Sequence, residues 1–321
     1  IVTGLYGRPS YALARNIDEE WYETSDEHEY WHNYNSLLEQ KGGGWEEGRK
    51  TIDTSTNRIL NFFFDPKIES DSDGPEKTQK YGLVVGYVQS GKTANYTGLI
   101  AKAADSGYDL VMVLAGTNND LRRQTQRRLD KELTGHIQDP DGNSVPIPER
   151  EWIRITKDDK TGFPGSGDFG GQKIASRWTG ILPLVIFDTN RPIIGVMKKQ
   201  IDRLAALKKW LGNMDTEKRN RINLLLIDDE SDSASADVSK AKDGDSSTDA
   251  DEKKASATNA LIREILGLFP RRSYVGYTAT PYASVLTSPV KDDSSLGPTL
   301  YPRNFIISLP PTTGYYGVAE F

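Results

Sequence analysis

The stretch Val84-Val85-Gly86-Tyr87-Val88-Gln89-Ser90-Gly91-Lys92-Thr93-Ala94 decides how the rest of the chain is read. A β-rich apolar run, Tyr81 to Val85, feeds G-x-x-x-x-G-K-T, the spacing of a phosphate-binding loop. A triphosphate crowds several negative oxygens into a small volume, so its site needs many converging donors. Gly86 and Gly91 let the backbone turn tightly and bring its N–H groups close. Gln89 and Ser90 lie on the loop between them. The helix that follows adds free N–H groups and the positive end of its dipole. Lys92 is a point charge for the β- and γ-phosphates, and the Thr93 hydroxyl is a ligand for Mg²⁺.

The 321 residues are enough for a large α/β domain with an extension. The start at Ile1 and the end in an apolar run at Phe321 are read as a piece of a longer chain. Without cysteine there are no disulfides and no thiolate metal sites. Three histidines, His28, His32 and His136, argue against a histidine-based metal site. His28 and His32 are four apart and are expected to pack among aromatics near Trp31. With no bilayer-spanning apolar stretch and no signal peptide, a reduced, cytoplasmic location without a membrane partner is expected. The net charge of −6 is local: residues 228–252 hold ten acids and two lysines, a net of −8, and the remainder is +2. Overall charge therefore does not exclude a polyanionic partner.

Residues 1–78 read as a helical extension and 79–321 as one α/β lobe. In the extension, aromatic periodicity predicts a helix over about 18–40, ended by Gly42-Gly43-Gly44. A second helix is predicted over about 51–63, with a linker at Glu69–Glu76. In the lobe, strands are expected at 81–86, Leu110–Ala115, Trp152–Thr156, Leu182–Phe187, Ile193–Met197, Leu224–Ile227, Ser273–Tyr277 and Asn304–Leu309. Helices are expected from Lys92 to Asp105, Asp120 to Leu133, Lys198 to Leu211 and Thr258 to Phe269. Residues 233–256 read as a mobile acidic loop. Alternating strands and helices imply right-handed crossovers and a mainly parallel central sheet flanked by helices.

Hydrolysis needs acids as well as a phosphate loop. The apolar strand Leu224–Ile227 runs into Asp228-Asp229-Glu230-Ser231-Asp232, which puts carboxylates at the carboxyl edge of the sheet. There Asp229 is a candidate for holding Mg²⁺ and Glu230 for orienting the attacking water. Thr278-Ala279-Thr280 follows a later strand, and its two hydroxyls are candidates for bonding Asp232, which would couple nucleotide state to movement. After the second strand, Asn118, Arg122, Arg123 and Gln124 are candidates for sugar–phosphate contact. The alternative is a solvated basic helix face. A weaker pattern, Pro140-Asp141 followed by Asp158 and Lys160, fits a metal-dependent nuclease. Thr156-Lys157-Asp158-Asp159 resembles a guanine-reading element but precedes the acidic strand, where GTPases place it after.

The order GYVQSGKT, LAGTNNDLRRQTQRRLD, LLLIDDESD, GYTATP resembles the first motor lobe of superfamily-two helicases, a RecA-like fold. It is more closely similar to the bacterial Z-one domain family, which carries similar VQSGKTANY, LRxQTQ, DDEAD and GYTATP stretches. The resemblance covers about 80–310. It implies ATP and Mg²⁺ as ligands, Lys92, Asp229 and Glu230 as the hydrolytic set, and nucleic acid as partner, DNA ahead of RNA. It also implies a second motor lobe beyond this chain and a place beside defence or restriction proteins, where family members are labelled endonucleases. An ATP-regulated nuclease and an ATP-dependent protein scaffold are the alternative functions. Ser231 departs from the family's usual alanine, and 233–256 lengthens the interval to the TAT stretch. Without the second lobe and its arginine finger, weak binding and slow turnover are expected of this chain alone.

Overall fold

The computed structural model describes residues 12–14, 20–24, 27–41, 45–68, 75–86, 91–138, 144–146, 152–156, 191–233, 248–281 and 298–310. In chain order the elements are β1 (Ala12–Ala14), α1 (Glu29–Gln40), α2 (Trp45–Leu60), α3 (Pro75–Thr78), β2 (Gln79–Val85), α4 (Lys92–Asp105), β3 (Leu110–Ala115) and α5 (Asn119–Leu129). A π-helical turn, Asp130–Thr134, continues α5. Then come β4 (His136–Gln138), β5 (Ser144–Pro146), β6 (Ile153–Arg154), β7 (Ile193–Met197), α6 (Ile201–Gly212), α7 (Thr216–Arg221), β8 (Leu224–Asp229), α8 (Thr248–Gly267), β9 (Arg272–Thr278) and β10 (Phe305–Ser308).

Strand order in the main sheet is β1-β10-β2-β9-β8-β3-β7-β6. The seven strands from β10 to β6 are mutually parallel, and β1 closes one edge antiparallel to β10. Runs such as LVMVLA and LLLI are apolar throughout because helices cover both faces of the sheet. Alternate residues divide between the faces. Val111, Val113, Leu225, Ile227 and Val275 join one core with residues of α1, α2 and α4. Leu110, Met112, Leu114, Leu224 and Leu226 join the other with residues of α6 and α8.

Helices α1 and α2 pack directly on α4, and Trp31, Tyr34, Leu38, Ile52 and Ile59 belong to the same core as the sheet. The Asp105 carboxylate, at the end of α4, accepts from the N–H groups of Tyr30 and Trp31 at 3.0 and 2.8 Å. It thus supplies the cap that the α1 N-terminus lacks locally. Lys102 is fully buried on α4, bonded to Asp53 and Asn57 of α2 and lying 3.9 Å from the Trp31 ring centre. Its desolvation lowers the ammonium pKa to about 8.

Several boundaries differ from expectation. The first helix starts at Glu29; residues 20–24 run irregularly, tied down by Trp21 Nε1 to Phe63 O at 3.1 Å and Tyr22 N to Asn61 Oδ1 at 2.8 Å. His28 sits just before that helix, stacked on Tyr22 at 5.4 Å, while His32 is exposed on it. The second helix begins at Trp45, because Glu46, Glu47 and Lys50 extend it outward on a solvated face. α8 begins at Thr248, ten residues before the apolar periodicity does, so the end of the expected acidic loop is helical. Residues 234–247, the expected strand Leu182–Phe187 and most of the linker at 69–76 lie outside the described residues. Among the described residues no helix is long and apolar enough to cross a membrane.

Candidate functional site

A parallel sheet brings every strand end of one polarity to a common rim. At the carboxyl rim here stand Gly86 after β2, Gly116 after β3, Lys198 and Lys199 after β7, Asp229 to Asp232 after β8, and Thr278 to Thr280 after β9. The strand ending in Thr278 lies between the strand that leads to Lys92 and the strand that ends in Asp229. Register sets Val85 beside Thr278, Tyr277 beside Asp229, and Asp229 beside Ala115.

Gly91 caps α4 with φ 78°, in the left-handed region that suits glycine, and α4 starts at Lys92. The Lys92 ammonium donates to Gly86 O at 3.2 Å, and Gly86 N donates to Thr278 O at 2.9 Å. Tyr87, Val88, Gln89 and Ser90 lie outside the described residues. Four residues after Lys92 on α4, the Tyr96 phenol donates to Asp229 Oδ2 at 3.2 Å. The Thr93 side chain interacts with the same phenol, so both candidate magnesium ligands have Tyr96 as a neighbour. Burial raises the Asp229 pKa above its ordinary value; Tyr96, Lys199 and Lys92 pull it back, while Glu230 adds to the rise.

Glu230 is the one non-glycine residue with positive φ among those described, at 55°. Its backbone lies in a sparsely populated region, a form of strain that collects at functional turns. Its carboxylate is exposed and comes close to Gly116: a Cβ placed on that glycine would lie 3.3 Å from Oε2. Asp232 accepts from Thr278 Oγ1 at 2.7 Å and from Thr280 Oγ1 at 2.5 Å. Ser231 is buried, and its amide donates to Tyr277 O at 3.0 Å.

No protein-family model matches this chain, and no curated protein does. The site is therefore argued from its own atoms. Lys92 and Thr93 occupy one rim with Asp229 and Glu230, two strands away, and Asp232, Thr278 and Thr280 stand on the same rim at the ends of adjacent strands. Among the described residues no three His, Cys, Asp or Glu cluster as a protein-only metal cage. A magnesium ion needs none when one carboxylate, a hydroxyl, phosphate oxygens and water supply its octahedron, and Asp229 with Thr93 fits that requirement.

The candidates after β3 divide. Asn118 caps α5, its Oδ1 accepting from Asp120 N at 2.7 Å. Arg122 is only 3% exposed, so it does not face solvent as a sugar–phosphate contact would require. Its charge instead acts on Lys198, whose pKa falls through burial, Arg203 and Arg122. Gln124 and Arg127 are exposed, and Arg123 is half-buried. Asp141, Asp158 and Lys160 lie outside the described residues.

Sequence reasoning missed Tyr96 and Lys199. Tyr96 reads as core until its phenol is seen to reach Asp229. Lys199 reads as the start of a helix; its place just after a buried strand, at the carboxyl rim, was the available signal. Its ammonium is buried beneath the Asp228–Ser233 turn.

Proposed function

We propose that this chain is a RecA-like ATPase lobe of a helicase-like motor that acts on nucleic acid. One observation carries the reading: the lysine at the start of α4 and the acidic turn after β8 share one rim of one parallel sheet, with the threonine-bearing strand between them. In this reading Gly86, Gln89, Ser90 and Gly91 wrap the phosphates with backbone N–H groups. Lys92 neutralises the β- and γ-phosphates. Thr93 and Asp229 hold Mg²⁺, which when bound offsets charge on the phosphate oxygens. Glu230 orients the attacking water, and the Asp232–Thr278–Thr280 bonds pass the change to β9. Nucleic acid, DNA ahead of RNA, lies along the exposed face of α5 bearing Gln124 and Arg127. A second motor lobe completes the cleft, in a cytoplasmic defence setting with partner proteins of that system.

The test is turnover by the full-length protein with and without DNA and RNA. Lys92→Ala is expected to abolish hydrolysis and weaken nucleotide binding. Glu230→Gln is expected to cut hydrolysis to a small residual rate while ATP stays bound. Normal turnover by Glu230→Gln would remove the assignment of the water-orienting group. Nucleotide binding unaffected by Lys92→Ala would remove the phosphate-loop reading altogether.

A further inference from the structure

Lys199 lies at the first turn after β7, and its side chain is fully buried. Its Nζ donates to three main-chain carbonyls of the acidic turn: Asp229 O at 2.8 Å, Glu230 O at 2.6 Å and Ser233 O at 2.9 Å. An ammonium has three N–H donors, so these bonds use its full capacity. The Asp228 carboxylate lies 3.0 Å away, itself fully buried, and balances the charge. Tyr274 donates its hydroxyl to the other Asp228 oxygen at 2.9 Å. The Lys199 amide donates to Gly116 O at 2.8 Å, which fixes the glycine beside the Glu230 carboxylate. One residue thus ties together the ends of β3, β7 and β8.

This arrangement has a mechanical meaning. Glu230 holds a left-handed backbone that its own side chain disfavours. Such a conformation persists only where its surroundings over-determine it. Carbonyls converging on one cation would repel one another without it, and the turn would relax towards ordinary φ values. Relaxation would swing the Glu230 carboxylate away from Gly116 and the rim.

We propose that Lys199 is the positioning residue of the hydrolytic site, holding the Asp229–Ser233 turn so that Glu230 faces the nucleotide. The proposal rests on the ATPase reading above. Lys199 touches neither phosphate nor water in this role; it acts through Glu230. Replacing it should therefore slow the chemical step and spare nucleotide affinity. Arginine should rescue little, because its planar fork cannot place three donors around one point.

The experiment measures MgATP affinity and turnover separately in the full-length protein for Lys199→Met, Lys199→Arg, Glu230→Gln and the double variant Lys199→Met/Glu230→Gln. Because Lys199→Met leaves Asp228 buried without its cation, Lys199→Met/Asp228→Asn is included to keep a folded protein. The expected result is a loss of about 100-fold in kcat, the scale of a misplaced catalytic group, with Kd changed less than about 3-fold. The double variant with Glu230→Gln should be no slower than Glu230→Gln alone, since the two act as one unit. Turnover by Lys199→Met/Asp228→Asn close to wild type would overturn the proposal, as would multiplicative losses in the double variant. A wild-type protein that neither binds nor hydrolyses ATP would overturn the ATPase reading, and this proposal with it. Normal wild-type turnover with an indifferent Lys199 would overturn the proposal alone.

Discussion

Thr278 Oγ1 donates to Asp232 Oδ1 at 2.7 Å, although 46 residues separate them in the chain. The bond links the turn after β8 to the end of β9, and Thr280 Oγ1 doubles it on Asp232 Oδ2. Thr278 is buried, so the partner of this carboxylate is sheltered from water. Thr278→Val keeps the shape and deletes the donor. A hydrogen bond to a charged group contributes about 1.5–3 kcal/mol, and the second hydroxyl retains part of it, so a loss of about 1–2 kcal/mol is expected by urea unfolding. In the proposed motor, the same variant keeps MgATP affinity and loses stimulation by nucleic acid. Undiminished stimulation would leave the pair a structural staple only.

How far the fold was legible depended on how each element announces itself. β3 and β7 match expectation at both ends, because uninterrupted apolar runs between polar turns have few other uses. α4 also matches at both ends: Gly91 and Gly107 bracket it. The acids after Ile227 were legible as a strand end, but Asp228 was not legible as a buried strand residue paired with Lys199. The aromatic run before Glu29 misled, since Trp21 and Tyr22 pack as an irregular strap without helical periodicity. Arg122 was ambiguous for a physical reason. Arginine at helical spacing reads alike whether it faces solvent or turns inward, and only the tertiary fold decides.

The Glu230 backbone predicts a trade between stability and turnover. At φ 55° a glycine avoids the Cβ clash that glutamate suffers. Glu230→Gly is expected to gain up to about 1 kcal/mol in unfolding free energy, net of the extra entropy of its unfolded chain. In the same variant ATP hydrolysis should vanish. Equilibrium denaturation beside a phosphate-release assay reads both. A destabilised glycine variant would mean that side-chain contacts of Glu230 outweigh its strain.

Ser231 carries a buried hydroxyl with no hydrogen-bond partner among the described residues. An unsatisfied buried hydroxyl is unfavourable by about 1–3 kcal/mol, so Ser231→Ala should be neutral or stabilising by about 1 kcal/mol. A Cβ added to Gly276 would fall 2.7 Å from Ser231 Oγ and 3.1 Å from Leu83 Cδ1. Gly276→Ala should therefore lose about 1–3 kcal/mol by overpacking. Combining it with Ser231→Ala should recover part of that loss, because the closest clash disappears. Thermal melting of the three variants checks the cycle, and strictly additive shifts would show that the two positions do not meet.

Docking of the N-terminal helices should depend on pH through Asp105. Burial raises its pKa from 3.8 to about 6, more than the two amide donors at the start of α1 can offset. The folded protein therefore holds this proton more tightly than the unfolded chain does. Between about pH 4 and pH 6 the native state binds more protons at this site, so stability falls as pH rises through that window. Above about pH 6 the destabilisation is fully present, and below about pH 4 both states are protonated. Asp105→Asn keeps an acceptor oxygen and removes the titration. Its melting temperature relative to wild type should rise as pH increases across the window, then level off near neutrality. The decisive measurement is the difference between the two melting curves, because the other carboxylates titrate in both proteins and cancel. A constant difference from pH 4 to pH 7 would show that Asp105 ionises as freely folded as unfolded, its two amide bonds offsetting its burial in full.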